Sequence, residues 1–294
     1  MLELGYFPGC SLHKASRNFD ESVEKLFSRL DIRLTELDDW NCCGASSGHF
    51  TDDELALALA ARNLALAEEQ GQHTVFAPCA ACYNRLLSSN HVMANKEPGF
   101  EQANELMAPQ AYHGTVSVRN LLDVLMREVG PWELARQCQL QLSGIRAAAY
   151  YGCLLVRSPG VEYFEDRENP TSMEQLLEAV GAETVDWPVK TECCGASLAA
   201  TEDEITNPWN ARLVDFAKKA GANCIVTACP LCQTNLDMVQ WRQQKQGRAA
   251  DMPVFFLSEL LALALGAKIG RREWRKHFVR PDGLLRELSI EARA

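Results

Sequence analysis

The sequence predicts an α/β protein of two similar domains, each a small parallel sheet flanked by helices, related by internal duplication. Two observations lead to this prediction. Ten of the twelve cysteines form two sets of five with nearly the same spacing, which indicates that one scaffold occurs twice in the 294 residues. In each half, short apolar runs alternate with helical patterns, as in strands that helices connect into a parallel sheet.

Each cysteine set reads C…CCG…CxxC. The gaps between successive cysteines are 32, 1, 36 and 3 in the first set and 40, 1, 35 and 3 in the second. The two CxxC blocks lie 150 residues apart and the two CCG blocks 151. The ten residues are Cys10, Cys42, Cys43, Cys79, Cys82, Cys153, Cys193, Cys194, Cys229 and Cys232.

The first half predicts four strands and four helices. The clearest helix is 52–70, because Asp52, Asp53 and Glu54 start it at the positive end of the helix dipole and Gly71 can end it. Residues 90–115 are polar and irregular, and predict a cap or loop. The predicted strands are 2–7, 32–37, 73–77 and 116–118, and the predicted helices are 19–30, 52–70, 79–89 and 120–128.

The second half repeats this plan. The seam between the halves falls within 130–144, so we expect domains at residues 1–143 and 144–294. The predicted strands are 146–151, 184–187, 223–228 and 254–256, and the predicted helices are 172–180, 209–220, 231–246 and 258–265.

In both halves, cysteine-bearing turns follow the carboxyl ends of three predicted strands. Helical crossovers keep these strands parallel, so the three ends meet at one edge of each sheet. Open parallel sheets bind ligands at that edge. We therefore expect the five thiols of each set to converge, although they lie far apart in the sequence.

Composition excludes several classes of function. The formal net charge is −10 and the pI about 5.2, and no basic stripe is present to replace the counterions of a nucleic acid. The one basic run, 268–276, predicts a solvated helix face or a docking surface. The chain starts without a signal-peptide pattern, and its longest apolar stretch, 254–269, is interrupted. We expect a cytoplasmic protein with no transmembrane segment, where clustered thiols serve metal binding or catalysis.

Five thiols per half indicate a metal centre. Thiolates are the usual ligands of iron–sulfur clusters, and a CxxC pair at a helix start can bind one edge of a cluster. Gly44 and Gly195, directly after the paired cysteines, allow a close backbone approach or a positive φ. Zinc is the alternative, but it takes four ligands. Five is one more than zinc or an ordinary cubane cluster uses, so one thiol is spare or reactive, or it bridges in an unusual cluster.

The chain resembles the family built from duplicated cysteine-rich CCG domains, and within it the B subunit of heterodisulfide reductase. The resemblance covers nearly the whole chain. It rests on FPGCSL, YYGCLLVR, the two CCGAS blocks, CAAC followed by Tyr83 and Asn84, and CPLCQTNLD.

This resemblance implies one noncubane [4Fe–4S] cluster on each intact set of five cysteines. It also implies an oxidoreductase subunit that cleaves, or in the reverse direction forms, a disulfide between two thiol substrates that meet cluster iron between the halves. No flavin or nicotinamide site is visible in the sequence. Electrons are therefore expected from partner subunits, which the resemblance implies are a flavin-containing A-type subunit and a small ferredoxin-like C-type subunit.

Four further residues are candidates near the cysteines. Lys14 and Arg157 each follow the first cysteine of a set by four residues, and can bind an acidic group of a thiol substrate, offset cluster charge or lie in solvent. His13 and His49 are candidate proton donors to a leaving thiolate. Cys224, in a predicted strand, is expected to be a core residue.

Two other classes of function stay open. One is an electron-relay or membrane-associating subunit of another CCG-domain oxidoreductase, such as an unusual succinate dehydrogenase anchor. A lactate or glycolate oxidase subunit is disfavoured, because the ferredoxin-type four-cysteine run that such subunits usually carry is absent from the sequence. The other class is a zinc-bound scaffold with no redox role.

Overall fold

The computed structural model describes residues 1–45, 48–158, 160–161, 163–199, 201–247 and 251–290. Its strands form two sheets of four strands each, and every neighbouring pair is parallel. Each sheet comes from one half of the chain, and helices flank both. The predicted duplicated α/β fold is confirmed.

The two sheets have the same strand order. The first is β2-β1-β3-β4 and the second is β6-β5-β7-β8, so the second strand in sequence is an edge strand in both. The first sheet contains β1 (Leu2–Tyr6), β2 (Ile32–Glu36), β3 (Thr74–Phe76) and β4 (Ser117–Arg119). The second contains β5 (Arg146–Tyr150), β6 (Glu183–Thr184), β7 (Cys224–Thr227) and β8 (Val254–Phe256).

The helices of the first half connect these strands and extend to the seam. A π-helical turn, Leu125–Val129, joins two of them. The helices are α1 (Gly9–His13), α2 (Arg17–Arg29), α3 (Gly48–Thr51), α4 (Asp53–Glu69), α5 (Ala80–Asn95), α6 (Phe100–Met107), α7 (Leu121–Val124) and α8 (Gly130–Gln137).

The helices of the second half follow the same scheme, and a 3₁₀ turn, Ala196–Leu198, lies directly after the second CCG block. The helices are α9 (Ser172–Ala179), α10 (Asp203–Lys219), α11 (Pro230–Lys245), α12 (Leu257–Ala264), α13 (Arg271–Trp274) and α14 (Asp282–Glu287).

Local sequence explains the helix starts that matter for the site. The carboxylate of Asp52 accepts hydrogen bonds from the backbone N–H groups of Glu54 and Leu55, both at 2.9 Å, and so caps α4. Cys79 and Cys229 are the extended residues directly before α5 and α11. Each CxxC block therefore spans the first turn of a helix, where unpaired N–H groups are available.

The prediction of a loop at 90–115 is wrong over much of its length. α5 continues to Asn95, and α6 follows it. Ala103 and Met107 of α6 are buried, and α6 packs along α4. The sequence of this segment is mostly polar because only one narrow face of the short helix α6 is buried in the core.

Two boundaries in the second half also differ from the prediction. The strand predicted at 184–187 ends at Thr184. The indole N–H of Trp187 donates a hydrogen bond to the Ala149 carbonyl of the neighbouring strand, and Pro188 has no backbone N–H to donate, so the pairing of the two strands stops there. Helix α10 begins at Asp203 rather than at residue 209, with Pro208 inside it. Acidic residues in its first turn favour the earlier start.

The two halves pack together through α2 and α12. The rings of Phe19 and Phe256 stack with centroids 4.4 Å apart, and the hydroxyls of Ser22 and Ser258 are 2.6 Å apart beside them. All four residues are buried. Stacked aromatic pairs contribute about 0.5–1.5 kcal/mol beyond the burial of their area, so we assign this contact a central part in holding the halves together.

Part of the basic run 268–276, which predicts a solvated helix face or a docking surface, packs against the rest of the fold. Trp274 is fully buried. Two ion pairs join the run to α2: Lys25 with Glu273 at 2.8 Å and Lys276 with Glu21 at 2.7 Å. Because half-exposed pairs contribute only about 0–1 kcal/mol, the buried indole contributes more to this contact than the charges do.

Candidate metal centre

The first cysteine set lies at the carboxyl edge of the first sheet. Cys10 follows β1, Cys42 and Cys43 follow β2, and Cys79 and Cys82 follow β3. The Sγ atoms of Cys43 and Cys82 are 3.2 Å apart. Cys42 hydrogen-bonds to Cys43, Cys79 hydrogen-bonds to Cys82, and Cys10 is close enough to act electrostatically on Cys42. The structure thus brings all five thiols of this set together.

The second set repeats the arrangement at the second sheet. The Sγ atoms of Cys194 and Cys232 are 3.5 Å apart. Cys153 hydrogen-bonds to Cys193, and Cys229 to Cys232. All five thiols line one cavity of about 70 Å³, together with apolar atoms of Tyr151, Leu154 and Leu231.

Crowding shifts the thiol pKa values in opposite directions within each set. A hydrogen bond from Cys42, with a second from Cys82, lowers the pKa of Cys43 to about 3. A hydrogen bond from Cys153 lowers the pKa of Cys193 to about 6. The pKa of Cys82 and that of Cys232 are raised, because each forms hydrogen bonds with two neighbouring cysteines and is buried. A lowered pKa favours the thiolate, which is the form that binds metal.

A glycine before the first cysteine of each set makes room for the thiols. Gly9 has φ +67° and Gly152 has φ +66°, a region that favours glycine. A Cβ at Gly9 would lie 2.7 Å from the Sγ of Cys82, and one at Gly152 would lie 2.9 Å from the Sγ of Cys232. Both halves thus have a cradle that any larger residue would fill.

The donors fit an iron–sulfur cluster in each half. Every ligand candidate is a thiol, and N–H groups of the first turn of α5 point to the sulfur of Cys79. Among the described residues, no three His, Cys, Asp or Glu side chains are placed to bind a single metal ion. In the second set, the five thiols are distributed around the wall of a cavity with apolar neighbours. Thiolate ligands in a largely apolar shell suit a cluster of several iron and sulfide ions.

The two cysteine sets approach each other where α5 contacts the loop after Cys153. Ala80, which lies between Cys79 and Cys82, lines the cavity of the second set. The Asn84 amide donates hydrogen bonds to the carbonyls of Leu154 and Arg157, at 3.1 and 3.3 Å, and to the Ser158 hydroxyl at 3.0 Å. The sequence signal for Asn84 was its place two residues after a CxxC block, but its partners lie in the other half.

The other predicted residues lie at the surface. His13 is exposed, 3.2 Å from Glu36 and edge-on to the ring of Trp40. Lys14 and Arg157 are exposed, and Arg157 pairs with Glu168 at 3.1 Å. Within the described ranges, none of these three side chains hydrogen-bonds to a cysteine. The side chain of His49 lies outside the described part of the chain.

Comparison with known proteins identifies the family. The model of the family described as "CCG: Cysteine-rich domain" matches residues 4–87 and again residues 147–237. The chain is a CCG-domain protein. This CCG-domain protein is an iron–sulfur oxidoreductase subunit that is similar to the B subunit of heterodisulfide reductase, and the predicted family is confirmed.

Two relatives match the CCG-domain protein over most of their length. It is 36% identical over 268 residues to the 8-methylmenaquinol:fumarate reductase membrane anchor subunit of Wolinella succinogenes, covering 90% of this chain and 92% of the relative. It is 31% identical over 274 residues to the B subunit of the ferredoxin:CoB-CoM heterodisulfide reductase of Methanosarcina mazei, covering 90% of each chain.

A solved structure shares the fold of the CCG-domain protein. It is a hypothetical protein from Helicobacter pylori, with a TM-score of 0.75 at 14% sequence identity. The match covers 95% of this chain and 52% of that one, so this chain spans about half of the solved structure. In the described part of the CCG-domain protein, no helix is both long and apolar enough to cross a membrane.

Proposed function

We propose that this CCG-domain protein is the catalytic iron–sulfur subunit of a heterodisulfide reductase-like complex, which cleaves or forms a disulfide between two thiol substrates. One observation supports this proposal above the others. Both cysteine sets are complete, and Ala80 of the first CxxC block forms part of the wall around the second set. Two redox centres in contact suit a substrate that is held between them.

In this proposal each set of five cysteines holds one [4Fe–4S] cluster of the noncubane type, within domains 1–143 and 144–294. Two bound clusters supply two one-electron steps, which match the two electrons and two protons that convert one disulfide into two thiols. The electrons come from partner subunits, a flavin-containing A-type subunit and a small ferredoxin-like C-type subunit.

The protein supplies shielding on one side of each centre and access on the other. Cys43, Cys79 and Cys82 are buried, as are Cys194, Cys229 and Cys232. Cys10, Cys42 and Cys193 are exposed. A substrate sulfur can therefore approach from the exposed side, while the buried thiols lie where water is excluded and electrostatic interactions are strong.

Charged groups near the exposed cysteines orient the substrate in this proposal. Lys14 and Arg157 bind an acidic group of the thiol substrate, and His13 or His49 supplies a proton to the leaving thiolate. The side chains of Arg157 and its partner Glu168 are 43% and 78% exposed, so their ion pair is weak and a substrate anion can replace Glu168.

Anaerobic purification followed by redox titration tests the proposal. Two clusters of four irons require about eight irons and about eight acid-labile sulfides per chain. Candidate thiols are then added during an EPR titration of the oxidised protein. We expect a signal that appears only with a thiol whose disulfide the complex reduces, and that is absent from a chain in which Cys193 is serine. A colourless protein with zinc and no sulfide would exclude the proposal.

An electron-relay or membrane-associating subunit is a second candidate. The name of the 36% identical Wolinella relative supports it. Arg271, Arg272 and Arg275 are also exposed, and they form no ion pair or hydrogen bond through their side chains within the described residues. Co-sedimentation with vesicles that contain anionic lipid, weakened by salt and by Arg271→Glu with Arg272→Glu, would support this candidate. Intact clusters with no response to any thiol would favour it over disulfide chemistry.

A further inference from the structure

We propose that the side-chain amide of Asn235 raises the reduction potential of the second centre, and that the first centre has no equivalent side-chain donor among the residues that the structure describes. The two halves would then hold chemically similar clusters at independently adjusted potentials. This inference rests on the proposed clusters. Asn235 would act on the charge of the cysteine ligands and would not itself bind iron.

Asn235 lies on α11, three residues after Cys232, so both side chains share one face of that helix. Its Nδ2 atom is 3.1 Å from the carbonyl oxygen of Cys194 and 3.7 Å from the Sγ of the same residue. Both neighbours are acceptors, which settles the orientation of the amide, because the Oδ1 atom could not donate to either.

A second amide supports the same cysteine. The Nδ2 atom of Asn210, on α10, is 3.0 Å from the Cys194 carbonyl, and Asn210 is buried. The Nδ2 atom of Asn235 carries two hydrogens, so it can donate to this carbonyl and also to the sulfur of the same cysteine. Among the described residues outside the cysteines, Asn235 is the one side chain with a hydrogen bond to a thiol of either set.

The first half lacks both amides at the equivalent positions. With the CxxC blocks aligned, Asn235 corresponds to Arg85 and Asn210 corresponds to Ala60. Arg85 lines a surface groove with Asp53, Leu57 and Ser88, and within the described ranges it makes no hydrogen bond to a cysteine.

The backbone around the two centres is matched, so the difference lies in side chains. The N–H of Gly44 hydrogen-bonds to Cys42, and the N–H of Gly195 to Cys193, at 3.2 Å in the second case. Ala45 and Ala196 donate likewise to the next cysteine of each set. The duplication has kept the backbone donors and changed the residue that faces the second sulfur.

The direction of the effect follows from charge. Reduction adds an electron to the cluster and its thiolates, and hydrogen bonds to the sulfurs stabilise that added charge. An amide N–H pointing at Cys194 therefore favours the reduced form and raises the potential. Aspartate has almost the same shape as asparagine but only accepts hydrogen bonds and adds a negative charge, so it reverses the effect.

A redox titration of the anaerobically purified full chain, monitored by visible absorption and EPR, tests this inference. It compares the wild type with Asn235→Leu, Asn235→Asp and the matched control Arg85→Leu. We expect one of the two midpoint potentials to fall in both Asn235 variants, and further in Asn235→Asp. A tenfold change in the ratio of reduced to oxidised centre corresponds to 59 mV for one electron, and we expect at least that in Asn235→Asp. Arg85→Leu should leave both potentials unchanged.

Three outcomes would overturn the inference. Wild-type potentials in both Asn235 variants, with full iron and sulfide, would show that the amide does not act on the centre. Loss of half the iron in both Asn235 variants, with Arg85→Leu intact, would show that Asn235 holds the site together instead of adjusting it. A wild-type chain without iron and sulfide would overturn the proposed function as well, and it is recognised before any variant is made.

Discussion

The amide of Asn84 is 3.1 Å from the backbone carbonyl of Leu154, and this contact ties the helix that carries Cys82 to the loop that follows Cys153. Asn84 is buried, and the same amide reaches the carbonyl of Arg157 and the hydroxyl of Ser158. A single side chain of the first half therefore fixes the loop that follows Cys153, the first cysteine of the second set.

We expect Asn84→Ala to destabilise the protein by about 1–3 kcal/mol, because it leaves the buried Ser158 hydroxyl and two partly buried carbonyls without this donor. Chemical denaturation followed by fluorescence measures this. Thr234 occupies the matching position after the second CxxC block, and no side-chain hydrogen bond of Thr234 occurs within the described ranges. Thr234→Ala should therefore change the free energy of unfolding much less. Equal losses in the two variants would contradict the role assigned to Asn84.

We expect alanine in place of Gly9 or Gly152 to prevent cluster binding by the cysteine set beside it. Each new Cβ would lie under 3.0 Å from a cysteine sulfur. The positive φ adds roughly 1–2 kcal/mol of backbone strain. We expect iron and sulfide to fall by about half, with the other set keeping its cluster.

The control for this prediction is Gly71→Ala. Gly71 has φ +72°, but no atom lies within 4 Å of the position that its Cβ would take. It should therefore show the backbone strain without loss of iron. If Gly71→Ala and Gly9→Ala bind the same amount of iron, the close approach to Cys82 is not what the centre requires.

Serine at Cys79 should remove the first centre and leave the second, and serine at Cys229 should do the opposite. Each thiol belongs to one set only, and a serine hydroxyl is a poor substitute for a thiolate ligand. Cys224 is the control, because it is fully buried in β7 and, within the described residues, its sulfur forms a hydrogen bond to the Arg146 carbonyl, at 3.9 Å, and none to a cysteine of either set. Cys224→Ala should keep its full iron content. Loss of all iron in either serine variant would show that the two sets are not independent.

His277 should make the fold less stable at alkaline pH. Its side chain is fully buried, with Nε2 2.9 Å from a carboxylate oxygen of Glu259. Burial lowers the pKa of His277, but the charge and hydrogen bond of Glu259, the charge of Asp237 and the Val254 carbonyl together raise it above 6.5. A raised pKa means that this stabilisation is complete below about pH 6.5 and is lost as pH rises through the folded-state pKa.

Denaturation midpoints between about pH 6 and 9 measure this effect. We expect the wild type to lose stability over that range and His277→Gln to lose less. Breaking the buried pair should also cost His277→Gln about 3–5 kcal/mol at the acidic end. A wild-type stability that rises with pH over the same range would refute the assignment.

The fold was predictable because its main signals are local and occur twice. Apolar runs and turn glycines recur at an offset of 150 residues, so each half confirms the interpretation of the other. The errors fall where long-range contacts decide. α6 exists because Ala103 and Met107 pack on α4, and β6 is short because Trp187 donates to Ala149.

The order of residues alone was enough to group ten thiols into two sets and to place each set at one sheet edge, because parallel crossovers bring the carboxyl ends of strands together. Folding in three dimensions decided what surrounds each set. Asn84 meets Leu154, Asn235 faces Cys194, and Phe19 stacks on Phe256, across 70, 41 and 237 residues. Such contacts depend on how the halves and helices pack, which spacing along the chain does not encode. The duplicated sequence indicates two similar cysteine sets, and packing decides which side chains face each of them.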